Sequence, residues 1–283
     1  MAVFCDLHNH STFSDGTDTP AELVAIAEKA GLGAVALTDH NTIAGLPEFL
    51  AAAEGKNVRA IAGTEFSTDY KGIELHILGL FLRPEHFALI TDRLEDFHRK
   101  KEQSNLDLVD KLNAAGYAID YTKIKNSTPK GQVNRALIAA ELTHLGYTES
   151  IQEAFKKLLS PKRGFYTPPT RPSPFETIRF IKSIGATAVL AHPFLNLDEA
   201  QLREFLEEAV SCGLDGMETL YSTYDEETTV LAGEIAEEFG ILSSGGSDYH
   251  GGNKPHIQMG IGQGNLAVPM EQVTALEQRA KKV

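Results

Sequence analysis

The chain has no tryptophan and only two cysteines, Cys5 and Cys212, among its 283 residues. Two thiols make no disulfide framework and suit a reducing compartment, so a cytoplasmic setting is expected. No apolar run approaches the roughly 18 residues that a membrane-spanning helix needs, so no membrane partner is expected. The N-terminal MAVFCDLHNH has neither a basic lead-in nor a long apolar stretch, and a secretory signal is not expected there. Positive charge is scarce: 26 Lys and Arg stand against 39 Asp and Glu, a formal net charge of -13. A protein that grips duplex nucleic acid through its phosphates needs a basic face, so a duplex partner is not expected either. A local cationic pocket can still hold a small phosphate. No GxxxxGK[ST] segment occurs, which excludes a P-loop nucleotide site.

What is present is an alternation of short apolar runs with helical stretches. FCDLHNH, GAVALTDH, VRAIAGTEF and ELHILGLFL read as strands in the first third. TAVLAHP, DGMETLY and ILSSGGSDYH read as strands in the last. Between them lie amphipathic helices with clear ends. Thr19-Pro20 opens one that Gly31 closes, and Asp225 opens one that Gly240 closes. Such alternation implies parallel strands joined by crossover helices, and seven strands are roughly the count of a closed α/β barrel. From about Glu85 to Gly164 only helices and loops are expected. The expected organisation is therefore a barrel domain over residues 1–84 and 165–283. A helical insertion over 85–164 would cap one of its faces.

The ionisable residues fall at the ends of these strands. LHNH ends in His8 and His10, LTDH in His40, IAGTE in Glu65, AVLAH in His192, and SGGSDYH in Asp248 and His250. His76 sits near the start of its strand and fits this rule less well. Parallel α/β barrels gather function at the C-terminal ends of their strands. Residues two apart on a strand point the same way, so His8 and His10 share a face, as do Asp248 and His250. Paired imidazoles suit a divalent metal, and Glu65 adds a carboxylate able to bridge two ions. Any one of these histidines taken alone is more often an ordinary surface or core residue. The combination of HxH, TDH, GTE, AHP and SDxH points to a cluster. With Asp15 and His76 there are nine donors, too many for one ion and enough for two or three. Mixed imidazole and carboxylate donors suit Mn, Fe and Zn alike.

The segments DLHNHSTFSDG, AVALTDHNT, AGTEFS, HILGL, VLAHP and GSDYHG, in that order, make the chain resemble the PHP superfamily of metal-dependent phosphoesterases. It looks most like the stand-alone branch, which includes nucleoside 3',5'-bisphosphate and nucleoside monophosphate phosphatases. The resemblance implies an α/β fold, a distorted (β/α)7 barrel with an inserted helical subdomain. It implies that His8, His10, Glu65 and Asp248 hold one ion. Glu65, His76 and His192 would hold a second, and Asp15, His40 and His250 a third. Many members have a histidine where this chain has Asp15. NRALIAAEL resembles a family segment whose arginine, here Arg135, reaches a substrate phosphate. Guanidinium groups pair bidentately with phosphate oxygens.

The expected reaction is hydrolysis of a small phosphomonoester, nucleotide-like, by a hydroxide that the ions activate. The alternatives are a histidinol-phosphate phosphatase and a 5'-end exonuclease acting on short oligonucleotides. Asp6, on the face of His8, is a candidate to support the metal ligands. His256, just past the last metal motif, is a candidate to line the pocket. Cys5 alternates away from His8 and reads as packing. The sequence identifies no general acid.

Overall fold

The computed structural model describes residues 4–127 and 133–280. The chain divides into two compact units, Met1–Thr91 with Arg171–Val283, and Asp92–Thr170.

The first unit opens with β1 (Phe4–Asp6), α1 (Pro20–Lys29), β2 (Ala34–Leu37), α2 (Leu46–Ala52), β3 (Arg59–Tyr70) and β4 (Ile73–Leu80). Helix α1 begins as its sequence dictates. The Thr19 hydroxyl accepts from Glu22 N–H, the Glu22 carboxylate answers at Thr19 N–H, and Pro20 takes the first helical position. Helix α3 (Phe87–Ala114) then crosses into the second unit. That unit also holds α4 (Tyr121–Asn126), α5 (Arg135–His144) and α6 (Ile151–Ala154), which runs into a π-turn over Phe155–Leu159. It contains no strand among the described residues. Its own core gathers Leu108, Leu112, Ile138, Leu142 and Leu159.

The chain returns through α7 (Pro174–Ser183), β5 (Thr187–Leu190), α8 (Glu199–Ser211), β6 (Gly216–Tyr221), α9 (Glu226–Glu238), β7 (Leu242–Gly246), β8 (Val268–Pro269) and α10 (Met270–Ala280). Eight strands form one sheet in the order β7-β6-β5-β4-β3-β2-β1-β8. Just past β1, Leu7 N–H donates to Gly245 O (3.2 Å), and Asp248 N–H donates to His8 O (2.9 Å). These bonds join the β1 side of the sheet to β7 and nearly close a distorted barrel. The core of this unit includes Leu7, Ile61, Leu78, Val189, Val273 and Leu276, so α10 seals one wall.

Two expectations need correction. The strands are not all parallel: β4 pairs antiparallel with both β3 and β5. The reason is the connection. Only Lys71 and Gly72 separate β3 from β4, both at positive φ (54° and 82°), which makes a hairpin turn. A parallel crossover needs a dozen residues or more. The sheet also gains β8, antiparallel to β1, beyond the seven strands expected. The compact helical unit runs from Asp92 to Thr170.

Candidate metal centre

The nine side chains singled out in the sequence all lie in the first unit, around Glu65. Segment 7–10 continues from β1 in extended form between the exits of β2 and β7. Thr38 N–H donates to Asn9 O, and His10 N–H to Tyr249 O, each at 2.9 Å. Alternation then does what the spacing demands. Leu7 goes to the core and Asn9 turns to Ala36 O, while His8 and His10 share the other side with ring centroids 5.1 Å apart. His40 follows β2 and forms an isolated bridge with Glu65 of β3. His192 follows β5, and Asp248 and His250 follow β7. The reversed strand β4 explains His76: the start of an antiparallel strand lies where its parallel neighbours end. The rule of strand ends therefore holds for His76 in space, though not along the chain.

Glu65 is the hub and is fully buried. Its Oε1 lies 2.7 Å from His76 Nδ1 and 3.1 Å from His192 Nε2. Its Oε2 lies 2.9 Å from His40 Nδ1 and 3.4 Å from both His8 Nε2 and His10 Nε2. Asp248 Oδ1 lies 3.2 Å from His10 Nε2, 3.4 Å from His250 Nδ1 and 3.7 Å from His8 Nε2. Asp15 reaches His250 Nε2 at 3.2 Å, His10 Nδ1 at 3.7 Å and His40 Nε2 at 3.8 Å. Donor atoms come within 4.8 Å of one another in three groups: His10, Asp15, His40 and His250; His8, His10 and Glu65; and His40, Glu65 and His76.

The chemistry of these atoms fits divalent ions. His8 Nε2, His10 Nε2, His76 Nδ1 and Glu65 Oε2 are buried and have no hydrogen-bond partner. Buried polar atoms are costly to leave unpaired, so a group of them aimed at one another calls for a cation. The electrostatics agree. Burial pushes His10 down to about 3, with His250 and His40 adding to the effect, so its ring is neutral and free to coordinate. Burial alone would raise the Glu65 carboxyl, but His40, His76 and His8 hold it well below the usual range. Asp248 is likewise pulled well down against burial by His8, His10 and Lys254. Both carboxylates are thus kept ionised.

Several supporting residues escaped the sequence reading. Glu218, in the middle of β6, has one carboxylate oxygen 3.0 Å from His8 Nδ1 and accepts His192 N–H on the other at 2.7 Å. Tyr221 OH donates to Asp248 Oδ2 at 2.7 Å, and Lys254 Nζ reaches the same oxygen at 2.6 Å. That leaves Oδ1 to face the imidazoles. Asp39 accepts from Ser11 N–H, Ser11 Oγ and Ser14 Oγ at 2.6–2.7 Å, which fixes the loop that carries Asp15. The available signal was an acidic residue inside an apolar strand, as in GMETLY. Asp6 is buried and accepts the backbone N–H groups of His8, Ser247 and Gly260. These bonds hold the backbone of the segments that carry His8 and Asp248, while Glu218 makes the ring contact. His256 is exposed, and it is its neighbour Lys254 that reaches the cluster.

Arg135 belongs to the second unit, at the first position of α5 behind the Asn134 cap. Its guanidinium lies 4.3 Å from the Tyr166 ring centre and 5.6 Å from that of Phe155. It lines an open surface groove of about 590 Å³ with Ile151, Gln152, Phe155, Lys156, Ser160 and Pro161.

Known proteins agree with this picture. The family model of the PHP domain matches residues 6–166. A 5'-3' exoribonuclease of Haemophilus influenzae is 32% identical over 87% of this chain and 89% of its own length. A phosphoribosyl 1,2-cyclic phosphate 1,2-diphosphodiesterase of Eggerthella lenta is 31% identical, over 89% of this chain and 97% of its own. A 3',5'-nucleoside bisphosphate phosphatase of Chromobacterium violaceum is 27% identical, over 87% and 86%. Among solved structures, a predicted metal-dependent phosphoesterase of Bifidobacterium adolescentis superposes with a TM-score of 0.81 at 28% identity, covering 99% of this chain and 97% of that one. No helix among the described residues is long and apolar enough to cross a membrane. The chain belongs to the PHP domain family and is a metal-dependent hydrolase of phosphate esters.

Proposed function

We propose that this enzyme hydrolyses a small phosphomonoester of a nucleotide, such as a nucleoside 3',5'-bisphosphate or an AMP-like monophosphate, in the cytoplasm. The observation that carries this reading is the set of buried imidazole and carboxylate atoms that converge on Glu65, several of them without a hydrogen bond. His8, His10, Asp15, His40, Glu65, His76, His192, Asp248 and His250 would hold two or three divalent ions, drawn from Mn, Fe or Zn. Bound there, such ions supply a nucleophile at neutral pH and offset charge on the phosphoryl oxygens. The chain's own groups do the rest. Glu65 would serve neighbouring sites, since its two oxygens face different sets of imidazoles. Burial of His8, His10 and Glu65 keeps bulk water from their coordinating atoms. Arg135 pairs with a phosphate of the substrate through its planar fork of donors. The open groove beside Arg135 offers the Phe155 ring and Lys156 to a nucleoside. The relatives named for bisphosphates, cyclic phosphates and RNA ends support a ribose-phosphate substrate.

A second reading, 5'-end trimming of short oligoribonucleotides, is favoured by the exoribonuclease relative at 32% identity. One experiment separates the two. The Mn-loaded protein is given adenosine 3',5'-bisphosphate, AMP, histidinol phosphate, a ribose cyclic phosphate diester and a short 5'-phosphorylated RNA. Rapid phosphate release from the bisphosphate or AMP supports the first reading, and mononucleotide release from the RNA supports the second. No turnover of any of them, with metal shown to be bound, sinks both.

A further inference from the structure

Glu218 is the only charged residue of the strand GMETLY, and it is fully buried. Its two carboxylate oxygens are both engaged, one by His8 Nδ1 (3.0 Å) and one by the backbone N–H of His192 (2.7 Å). Each oxygen thus accepts from a different residue of the cluster. On the far side of the same imidazole, His8 Nε2 faces Glu65 Oε2 at 3.4 Å and has no hydrogen-bond partner. A neutral imidazole carries one N–H and one lone pair, and the partner of one nitrogen decides the role of the other. A carboxylate only accepts. It therefore selects the ring form with the proton on Nδ1 and the lone pair on Nε2.

His192 needs help of a different kind. It has φ 29° and ψ 54°, a left-handed backbone for a residue with a side chain, and it precedes Pro193. The proline ring pushes the residue before it toward extended conformations. Such a conformation persists only where its surroundings impose it. The bond from His192 N–H to Glu218 is one such constraint, and it leaves His192 Nε2 3.1 Å from Glu65 Oε1. One carboxylate thus sets two imidazoles that meet different oxygens of Glu65.

We infer that Glu218 is a positioning residue of the metal centre. It fixes the His8 tautomer that offers Nε2 to an ion and holds His192 in the backbone conformation that brings its ring to Glu65. The inference rests on the reading that the cluster around Glu65 holds ions.

Glu218→Gln is the discriminating change. Both partners of Glu218 are donors, and an amide has only one accepting oxygen. Either His192 N–H faces an NH2 group, or the His8 proton moves to Nε2 and blocks the ion. Mn affinity and content are measured for the wild type and E218Q. Nitrogen NMR then locates the His8 ring proton in Zn-loaded wild-type protein. The expected results are a roughly 10–100-fold loss of Mn affinity in E218Q and a proton on His8 Nδ1 in the wild type. A residue with a merely structural role would lower stability without deciding which nitrogen carries the proton. Wild-type Mn affinity in E218Q, or a wild-type proton on Nε2, overturns the inference and leaves the metal reading standing. A wild type that binds no ion overturns both. Should E218Q fail to fold, the wild-type NMR result decides alone.

Discussion

Five imidazoles come within 3.4 Å of the two oxygens of Glu65. Glu65→Gln removes the charge and turns one acceptor into a donor facing those rings. Since losing a mere supporting partner of a ligand costs about 10–100-fold, E65Q is expected to lose at least about 100-fold in Mn affinity, with phosphate release falling alongside. Metal analysis and a phosphate assay check this, and a variant that keeps its ions would remove Glu65 from the centre. Arg135→Ala probes a different contact. A hydrogen bond to a charged group is worth roughly 1.5–3 kcal/mol, so kcat/KM is expected to drop about 10–100-fold with bound Mn unchanged. Arg135→Lys should recover only part, because a point charge lacks the fork. Unaltered kinetics in R135A would overturn the proposed phosphate contact. At this scale the sequence was informative where chemistry repeats at fixed spacing. HxH and DxH place two donors on one face of an extended segment whatever lies around them. Glu218 and Tyr221 were hidden because each meets its partner, His8 or Asp248, from a distant segment that only the folded sheet brings near, whereas Lys254 reaches Asp248 from close by in the same loop region.

Single elements carry the same lesson about direction. The apolar runs and the caps at Thr19 and Asp225 made most strands and helices legible, since local backbone chemistry fixes them. The sense of β4 is set by the two-residue turn Lys71-Gly72, and the short spacing between its flanking strands was the overlooked signal. Glycines in two elements give opposing expectations. Gly246 ends β7 against the ligand segment, and a Cβ there would stand 2.4 Å from His8 Cβ and 2.6 Å from His8 N. Neither neighbour can yield, because the barrel closes at that point. Gly246→Ala is expected to cost about 2–3 kcal/mol, a fall in melting temperature of roughly 4–10 °C. Gly233 lies within α9, where a Cβ would meet nothing within 4 Å. Gly233→Ala is expected to add about 0.5–1 kcal/mol by relieving the entropic penalty of a helical glycine. Thermal melts of both variants decide. A neutral G246A would mean that the β1–β7 seam is loose.

For the molecule as a whole, the proposed metal centre makes protons and metal ions competitors for the same buried nitrogens. In the metal-free protein burial disfavours the charged His76 ring, yet Glu65 and Glu74 outweigh it and raise the group to about 10. His8 and His40 are raised above their ordinary value as well, by Glu218 and Glu65 in the first case and by Glu65 in the second. A histidine raised in the folded state stabilises that state below its unfolded value of about 6.5. That contribution is lost as pH climbs through the folded value. The metal-free enzyme therefore loses this support between about pH 6.5 and 10. Ion binding runs the other way, because a ring must shed its proton to coordinate. Ions that bind only the folded state add about 2.7 kcal/mol per site at a hundred times the dissociation constant. The melting temperature of the Mn-loaded enzyme should exceed that of the chelator-treated enzyme, and the gap should widen from about pH 6 to about pH 8.5. Calorimetry in buffers of different ionisation enthalpy should register proton release on Mn uptake near neutral pH. A gap that stays constant across that range, with no proton released, would mean that the ions bind away from these histidines.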